Sequence, residues 1–260
     1  MDDNYIEIKN LSKNYVHKGK EFTALSNVNL NIRKGEFICL LGPSGCGKST
    51  LMNVLAGFEK ATSGSVTIDG KPVGKPTIKH VTIFQNYGLF PWRSVLENVE
   101  LGLETLKLSK KERLEKAKYY VDLVGLTGFK DAHPRQLSGG MQQRVAIARA
   151  LAVDPEIIFM DEPLGALDAI TRMKLQDDIL KINRSQDKTI IFVTHDIEEA
   201  VFLADRIVVM TPNPGKIKQI VKIELGPTRD RTSREFLLYR DLIFQIFHMK
   251  HEKAEAEYII

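Results

Sequence analysis

No apolar run in this 260-residue sequence approaches the roughly 18 residues that a helix needs to cross a bilayer. No membrane-spanning helix is therefore expected. The opening MDDNYIEIKN is acidic and polar where a secretory leader would be basic and then apolar, so no signal peptide is expected. Cysteine is scarce: only Cys39 and Cys46 are present. One falls in an apolar run that reads as a buried strand and the other in a glycine loop. No disulfide is expected, and a reducing cytosol fits. Clustered positive charge is lacking too. The net charge is +4 and the basic residues are spread along the chain, which argues against a dedicated nucleic-acid surface. Neither internal repeats nor low-complexity tracts occur. The length suffices for one large core or two modest ones, and the composition is that of a soluble globular protein.

Strand-like and helix-like segments alternate, the pattern of an α/β layered fold. GEFICLLG is a short apolar strand ending in glycine, and STLMNVLAGF after it has helical spacing. SGSVTIDGKPV alternates apolar and polar residues between glycines and predicts an antiparallel ribbon. HVTIFQ, PEIIFMDEP, KTIIFVTHD and DRIVVMT read as further strands. Three of them are nearly continuous β-branched or apolar runs, which suits strands covered on both faces.

Between Asn86 and Asp154 the character turns helical. SKKERLEKAKYYVDLVGL opens with a capping box, Ser109 to Glu112, and sets Leu114, Ala117, Val121 and Val124 on one face. This segment predicts a helical subdomain inserted into the α/β core. A last helix, capped at Thr232 with Glu235 three residues on, is expected to turn Phe236, Leu242, Ile243 and Ile246 inward. The end, HMKHEKAEAEYII, is expected to fray.

GPSGCGKST, Gly42 to Thr50, fits the phosphate-loop pattern in its required context, after a strand and opening a helix. Gly42, Gly45 and Gly47 let the backbone curl until several N–H groups face one anion, and the helix N-terminus adds partial positive charge. Lys48 brings a full charge to the β- and γ-phosphates, and the Ser49 hydroxyl can ligate magnesium. IIFMDEP ends a strand with adjacent carboxylates. Asp161 is suited to magnesium, and Glu162 to acting as general base or orienting the attacking water. His195, at the end of IIFVTHD, is placed for a γ-phosphate contact. Gln85, at the end of VTIFQ, is an amide able to reach magnesium or the attacking water. LSGGMQQRVAIARAL, Leu137 to Leu151, raises a different question, because two glycines strip the backbone at the very start of a helix.

With these residues in place, the chain resembles the ATP-binding subunit of ABC transporters. The likeness runs from about Ile6 to about Thr232, with six motifs in the family's order: Gly42–Thr50, Gln85, Leu137–Gln142, Ile157–Glu162, Leu167–Asp168 and His195. It implies a phosphate-loop (RecA-like) α/β core with an antiparallel β subdomain and an inserted α-helical subdomain. The ATPase domain would span 1–230, with the helical insert at about 87–153 and a helical tail at 231–260. ATP and Mg2+ are the implied cofactors.

The resemblance also answers the question of the bare helix start. In the family two copies pack head to tail, and Ser138, Gly139 and Gly140 of one copy close over the γ-phosphate held by the other. A single signature and a single phosphate loop per chain imply a homodimer. By the same likeness Pro43, Ser44, Cys46 and Thr50 belong to the nucleotide cradle with Gly42, Gly45, Gly47, Lys48 and Ser49. Tyr15 matches the aromatic that stacks on adenine. Asp168 matches the loop that meets the partner subunit, Gln142 lies beside the shared site, and Arg144 braces the helical subdomain.

The apolar stretch Leu89, Phe90, Pro91 and Trp92 after Gln85 is expected to line a groove for a short cytoplasmic helix of a membrane permease. The wording of LFPWRSVLENV, DEPLGALDAITR and THDIEEAVFLADRIVVM looks like the nitrate/sulfonate/taurine/bicarbonate importers. That likeness implies permease partners, an extracytoplasmic solute-binding protein and a peripheral place on the cytoplasmic face of a bacterial membrane. Leu164, where many members carry Phe, and His133, where an aromatic is common, depart from the pattern in packing and not in phosphate chemistry. The alternative kept open is a soluble ABC ATPase that acts as a nucleotide-dependent dimerisation switch.

Overall fold

A computed structural model describes residues 4–84, 86–165, 167–226 and 228–248. Two sheets organise them. The first is antiparallel, with strands β1 (Ile6–His17), β2 (Lys20–Ile32), β4 (Ser63–Ile68) and β5 (Lys71–Pro72) in the order β2-β1-β4-β5. The second holds β3 (Phe37–Leu41), β6 (His80–Ile83), β7 (Ile157–Asp161), β8 (Thr189–Thr194), β9 (Arg206–Thr211) and β10 (Lys216–Lys222) in the order β10-β9-β3-β8-β7-β6. Its strands run parallel except for β10, which lies antiparallel on β9.

The period of two along each strand divides the interior into two cores. Ile38 and Leu40 of β3, Phe159 of β7, and Ile191 and Val193 of β8 face the antiparallel sheet and helix α1 (Lys48–Leu55). Their neighbours Phe37, Cys39 and Leu41, with Met160, Ile190 and Phe192, face the opposite side. There they meet α4 (Gly139–Ala152), α5 (Ala169–Gln186), α6 (Ile197–Leu203) and α7 (Arg234–His248). Because every face of β3 and β8 is covered, both strands are buried throughout. That burial is the physical cause of their unbroken apolar runs.

The helical expectation between the strands holds. α2 (Val95–Leu103) and α3 (Lys110–Leu123) pack with α4. Each of α2 and α3 opens with a reciprocal capping box, Ser94 with Glu97 and Ser109 with Glu112. Arg144 of α4 donates to Val124 O at 3.2 Å, joining the end of α3 to α4 as expected.

The last helix departs from expectation in two details. Its cap is Ser233, whose Oγ accepts from Phe236 N at 3.2 Å, while Thr232 N and Oγ1 both turn to Asp230. Phe236, Ile243 and Ile246 are buried, but Leu242 is exposed. Successive α-helical residues are about 100° apart, so Leu242 stands beside Ile243 and off the covered stripe. Of the expected frayed end, residues 249–260 lie outside the described residues. The antiparallel β subdomain implied by the family likeness is the sheet of β1, β2, β4 and β5, although the residues of β1, β2 and the edge strand β10 do not mark those strands individually. β1 carries register shifts near Leu11 and Lys13, which break the alternation that marks a strand.

Candidate functional site

The parallel strands end level with one another. Leu41 pairs with Thr194 and Asp161 with Val193, so β3, β8 and β7 deliver their following residues to one edge. Ligands of open parallel sheets bind in the crevice at this carboxyl edge. The loop Gly42–Gly47 leaves β3 there and opens α1. Two of its glycines are left-handed, for different reasons. Gly47 adopts φ 92°, a conformation that a Cβ resists, and Leu25 and the carbonyl of Ala24 also crowd the place a side chain would take. Gly45 adopts φ 77°, but nothing stands within 4 Å of where its Cβ would lie. Only the turn of the backbone, and not crowding within the chain, demands glycine at Gly45. No side chain caps α1. Its first N–H groups are therefore available to an anion. Lys48 is buried and folds back over the loop, donating to the carbonyls of Gly42 at 2.8 Å and Pro43 at 3.0 Å. Cys46 packs its thiol into the core, so it offers the crevice only backbone.

Ser49 Oγ donates to Asp161 Oδ1 at 3.1 Å, bringing the hydroxyl and the carboxylate expected to share a cation together. Burial pushes the Asp161 carboxyl above its ordinary value and the adjacent Glu162 adds to this, while Ser49 and Lys48 oppose it. A divalent cation at this pair would reverse that balance. The donor set is hard oxygen, which suits magnesium, an ion that keeps few protein ligands and completes its shell with water and phosphate. Among the described residues no group of three or more His, Cys, Asp or Glu could hold a metal by itself.

Glu162 stands just past the end of β7 with φ 44°, left-handed and costly for a side chain of this size. Its N–H still reaches Val193 O at 3.1 Å, so the ladder continues while the chain turns away. The result aims the carboxylate at His195, whose Nδ1 is 3.4 Å from Glu162 Oε2. The position expected to complete this group, Gln85, lies outside the described residues.

Tyr15 on β1 stands close by: its hydroxyl donates to the Glu59 carboxylate and also meets Thr50. Burial and Glu59 together push its phenol pKa up. Lys13 Nζ sits 4.8 Å from the centre of the ring.

The residues expected to serve a second copy stand apart from this group. Ser138 caps α4, its Oγ accepting from Met141 N at 3.3 Å. Gln142 donates to Leu137 O at 3.2 Å. Gly140 is buried, and a Cβ there would lie 2.5 Å from Thr171 Cγ2. That glycine is thus required by packing inside the subunit as well as by any approaching ligand. Asp168 caps α5 by accepting from Thr171 N at 3.0 Å, and this bond holds its carboxyl below the usual range.

The apolar segment after residue 85 divides. Phe90 lines a groove of about 540 Å3 with Ile78, Phe84, Leu101, Arg149 and Val153. Trp92, 69% exposed, lies over a separate depression beside His133 and Arg135. Arg149, missed in the sequence, ties this segment to α4 by donating to Gly88 O at 2.7 Å and Tyr87 O at 2.9 Å. A basic residue near a helix C-terminus gives no signal of such a distant acceptor.

A family model described as ABC transporter matches residues 25–165. The chain belongs to the ABC transporter family. It is 54% identical to an uncharacterized ABC transporter ATP-binding protein of Methanocaldococcus jannaschii, covering 93% of this chain and 90% of that one. It is 43% identical to the nitrate import ATP-binding protein of a Synechocystis strain, covering 97% and 98%. A dimeric ATP-binding cassette in a post-hydrolysis state, bound to ADP and Pi, superposes with a TM-score of 0.76 at 37% identity, over 85% of this chain and all of that one. The ABC cassette fold described above is therefore that of a transport ATPase that binds and hydrolyses ATP. Among the described residues no helix is long and apolar enough to cross a membrane.

Proposed function

We propose that this ABC ATPase powers uptake of a small solute, of the nitrate, sulfonate, taurine or bicarbonate kind, through a separate permease. The likeness to a nitrate import subunit over nearly all of both chains supports the importer reading. Two copies sandwich two ATP molecules, each between the phosphate loop of one copy and Ser138, Gly139, Gly140 and Gln142 of the other, with Asp168 at the seam. The solved dimeric cassette supports this arrangement. The assembly sits on the cytoplasmic face of the membrane, and a solute-binding protein on the far side supplies the cargo. Phe90, facing its groove, and Trp92 receive a permease helix. Alanine at either position is expected to abolish transport and leave ATP binding intact.

Within each site Lys48 and the N–H groups of residues 42–50 hold the phosphates, and Tyr15 stacks on adenine. The open surroundings of Gly45 leave its backbone free to face them. Ser49, Asp161 and Gln85 would hold magnesium, which would supply positive charge to the phosphates. Glu162 takes or orients the proton of the attacking water. His195 holds Glu162 and the γ-phosphate in line. The observation that carries the reading is the meeting of Ser49 with Asp161 and of Glu162 with His195 on one strand edge beside the loop.

The test is complementation. Lys48→Ala and Ser138→Ala are purified separately, each expected to be nearly inactive, and then mixed. A mixed dimer has one site with both defects and one with neither, so ATPase activity should reappear. Mixing without recovery would remove the shared-site reading.

A further inference from the structure

The turn that follows Glu162 touches two parts of the molecule. On one side Thr171 Cγ2 occupies the space that a Cβ on Gly140 would need and Leu167 Cδ2 lies 3.6 Å from that place, in ordinary contact, so the turn packs under the N-terminus of α4. On the other side Arg172, in the first turn of α5, reaches toward the segment that carries His195. Its Nη2 donates to Leu167 O at 3.1 Å. Its Nη1 is 3.8 Å from Asp196 Oδ2, and its Nε is 3.7 Å from Glu199 Oε1.

Those two carboxylates belong to a tight local network. Thr194 Oγ1 donates to Glu199 Oε2 at 2.7 Å and accepts from Asp196 N at 3.0 Å. Asp196 Oδ1 accepts from the N–H groups of Glu198 and Glu199. The residues immediately before and after His195 are thus both held against one guanidinium, Thr194 through Glu199 and Asp196 directly.

The contacts are also slack. Arg172 Nε is buried and has no hydrogen-bond partner, and both carboxylates stand just beyond hydrogen-bond range. A buried donor without an acceptor costs stability, and part-exposed ion pairs return little. A small approach of the Leu167 turn toward α6 would close these contacts, and a small retreat would open them.

We infer that Arg172 is a positioning residue for His195: it ties the Thr194–Glu199 segment to the Leu167 turn beneath the glycines of α4, so that displacement at either end is transmitted to the other. This rests on the role proposed above for His195. Arg172 need touch no nucleotide, because it acts through the backbone on either side of that histidine.

The experiment compares Arg172→Ala and Arg172→Lys in the otherwise unaltered chain and in a His195→Ala background. Steady-state ATPase kinetics and thermal unfolding are measured on each. Misplacement of a group by about 1 Å can cost on the order of 100-fold in rate, so Arg172→Ala should lower kcat by about 10- to 100-fold with KM for ATP little changed. Arg172→Lys keeps the charge but cannot span three acceptors. It should keep Tm and still lose several-fold in kcat. Neither substitution should lower kcat further once His195 is alanine. Wild-type kcat in Arg172→Lys, or an undiminished extra loss in the His195→Ala background, would overturn the inference. The His195→Ala variant alone tests the underlying reading: full activity there removes both, whereas low activity with additive Arg172 losses removes only this one.

Discussion

His195 Nδ1 lies 3.4 Å from Glu162 Oε2, across the ends of the adjacent strands β8 and β7. Neither side chain is prepared by its own strand. Glu162 reaches the position through a left-handed turn, and His195 is 62% exposed in its side chain. The turn at Glu162 is therefore costly locally, as backbone at functional sites often is. Replacing Glu162 by Gln keeps the shape and the contact with His195 but removes the proton acceptor. Positioned acid–base groups contribute roughly 10²- to 10⁴-fold. Glu162→Gln should accordingly lose at least about 100-fold in kcat while still binding ATP, and it should elute as an ATP-dependent dimer in size-exclusion chromatography. Hydrolysis at the wild-type rate would remove the role given to Glu162.

Lys48 presents the opposite case, a group occupied with binding. Its ammonium donates to the carbonyls of Gly42 and Pro43. Charge-assisted contacts to phosphate are about twice as strong as neutral ones, so a nucleotide would draw the ammonium away from those carbonyls. Lys48→Ala should raise the Kd for ATP by about tenfold or more, measured by titration calorimetry. An unchanged Kd with reduced kcat would make the lysine a hydrolytic group instead.

The core strands and the phosphate loop were legible in the sequence because both are dictated locally. Continuous apolar runs report burial on two faces, and the spacing of Gly42, Gly45, Gly47 and Lys48 reports a backbone that must wrap an anion. Beyond its β4–β5 ribbon the antiparallel subdomain was marked only by the family likeness: β1 has one covered face and slips register at Leu11, so its alternation is lost. Tertiary partners were hidden as well. Nothing in GALDAITR signals that Arg172 answers to Asp196 and Glu199, or that Thr171 lies against Gly140. The glycines of the signature read as an open approach for a ligand, and Gly140 in fact also accommodates a methyl group from its own chain.

Glu199 gives a pH dependence with a definite sign. Burial holds its carboxyl above its ordinary value near 4.5, while Thr194 and Arg172 only partly oppose this. A carboxyl with a raised folded-state pKa favours the fold most when protonated. That contribution is full below the unfolded pKa and is lost as pH rises through the folded one. Glu199→Gln keeps an acceptor for Thr194 and cannot ionise. Its Tm relative to the wild type should therefore rise as pH is raised above the ordinary carboxylate range. A Tm difference that stays constant or shrinks as pH is raised would show that the buried carboxylate costs the fold nothing.

The contact between Gly140 and Thr171 can be separated from any role in binding nucleotide. A Cβ at Gly140 would sit 2.5 Å from Thr171 Cγ2, but 3.7 Å from Thr171 Cβ and 3.6 Å from Leu167 Cδ2, both ordinary distances. The whole conflict thus rests on one methyl group. Forcing an extra methyl into packed surroundings costs about 1–3 kcal/mol, so Gly140→Ala should lower stability by that order in a denaturant titration. Adding Thr171→Ser deletes the opposing methyl, while the cap from Thr171 N to Asp168 is a backbone bond and survives. The double variant should recover most of the lost stability. Its ATPase activity then reads the second demand on this position. Restored stability with activity still low would mean that bare backbone is needed at the shared site itself. Recovery of both would mean that Gly140 is a glycine for the sake of Thr171 alone.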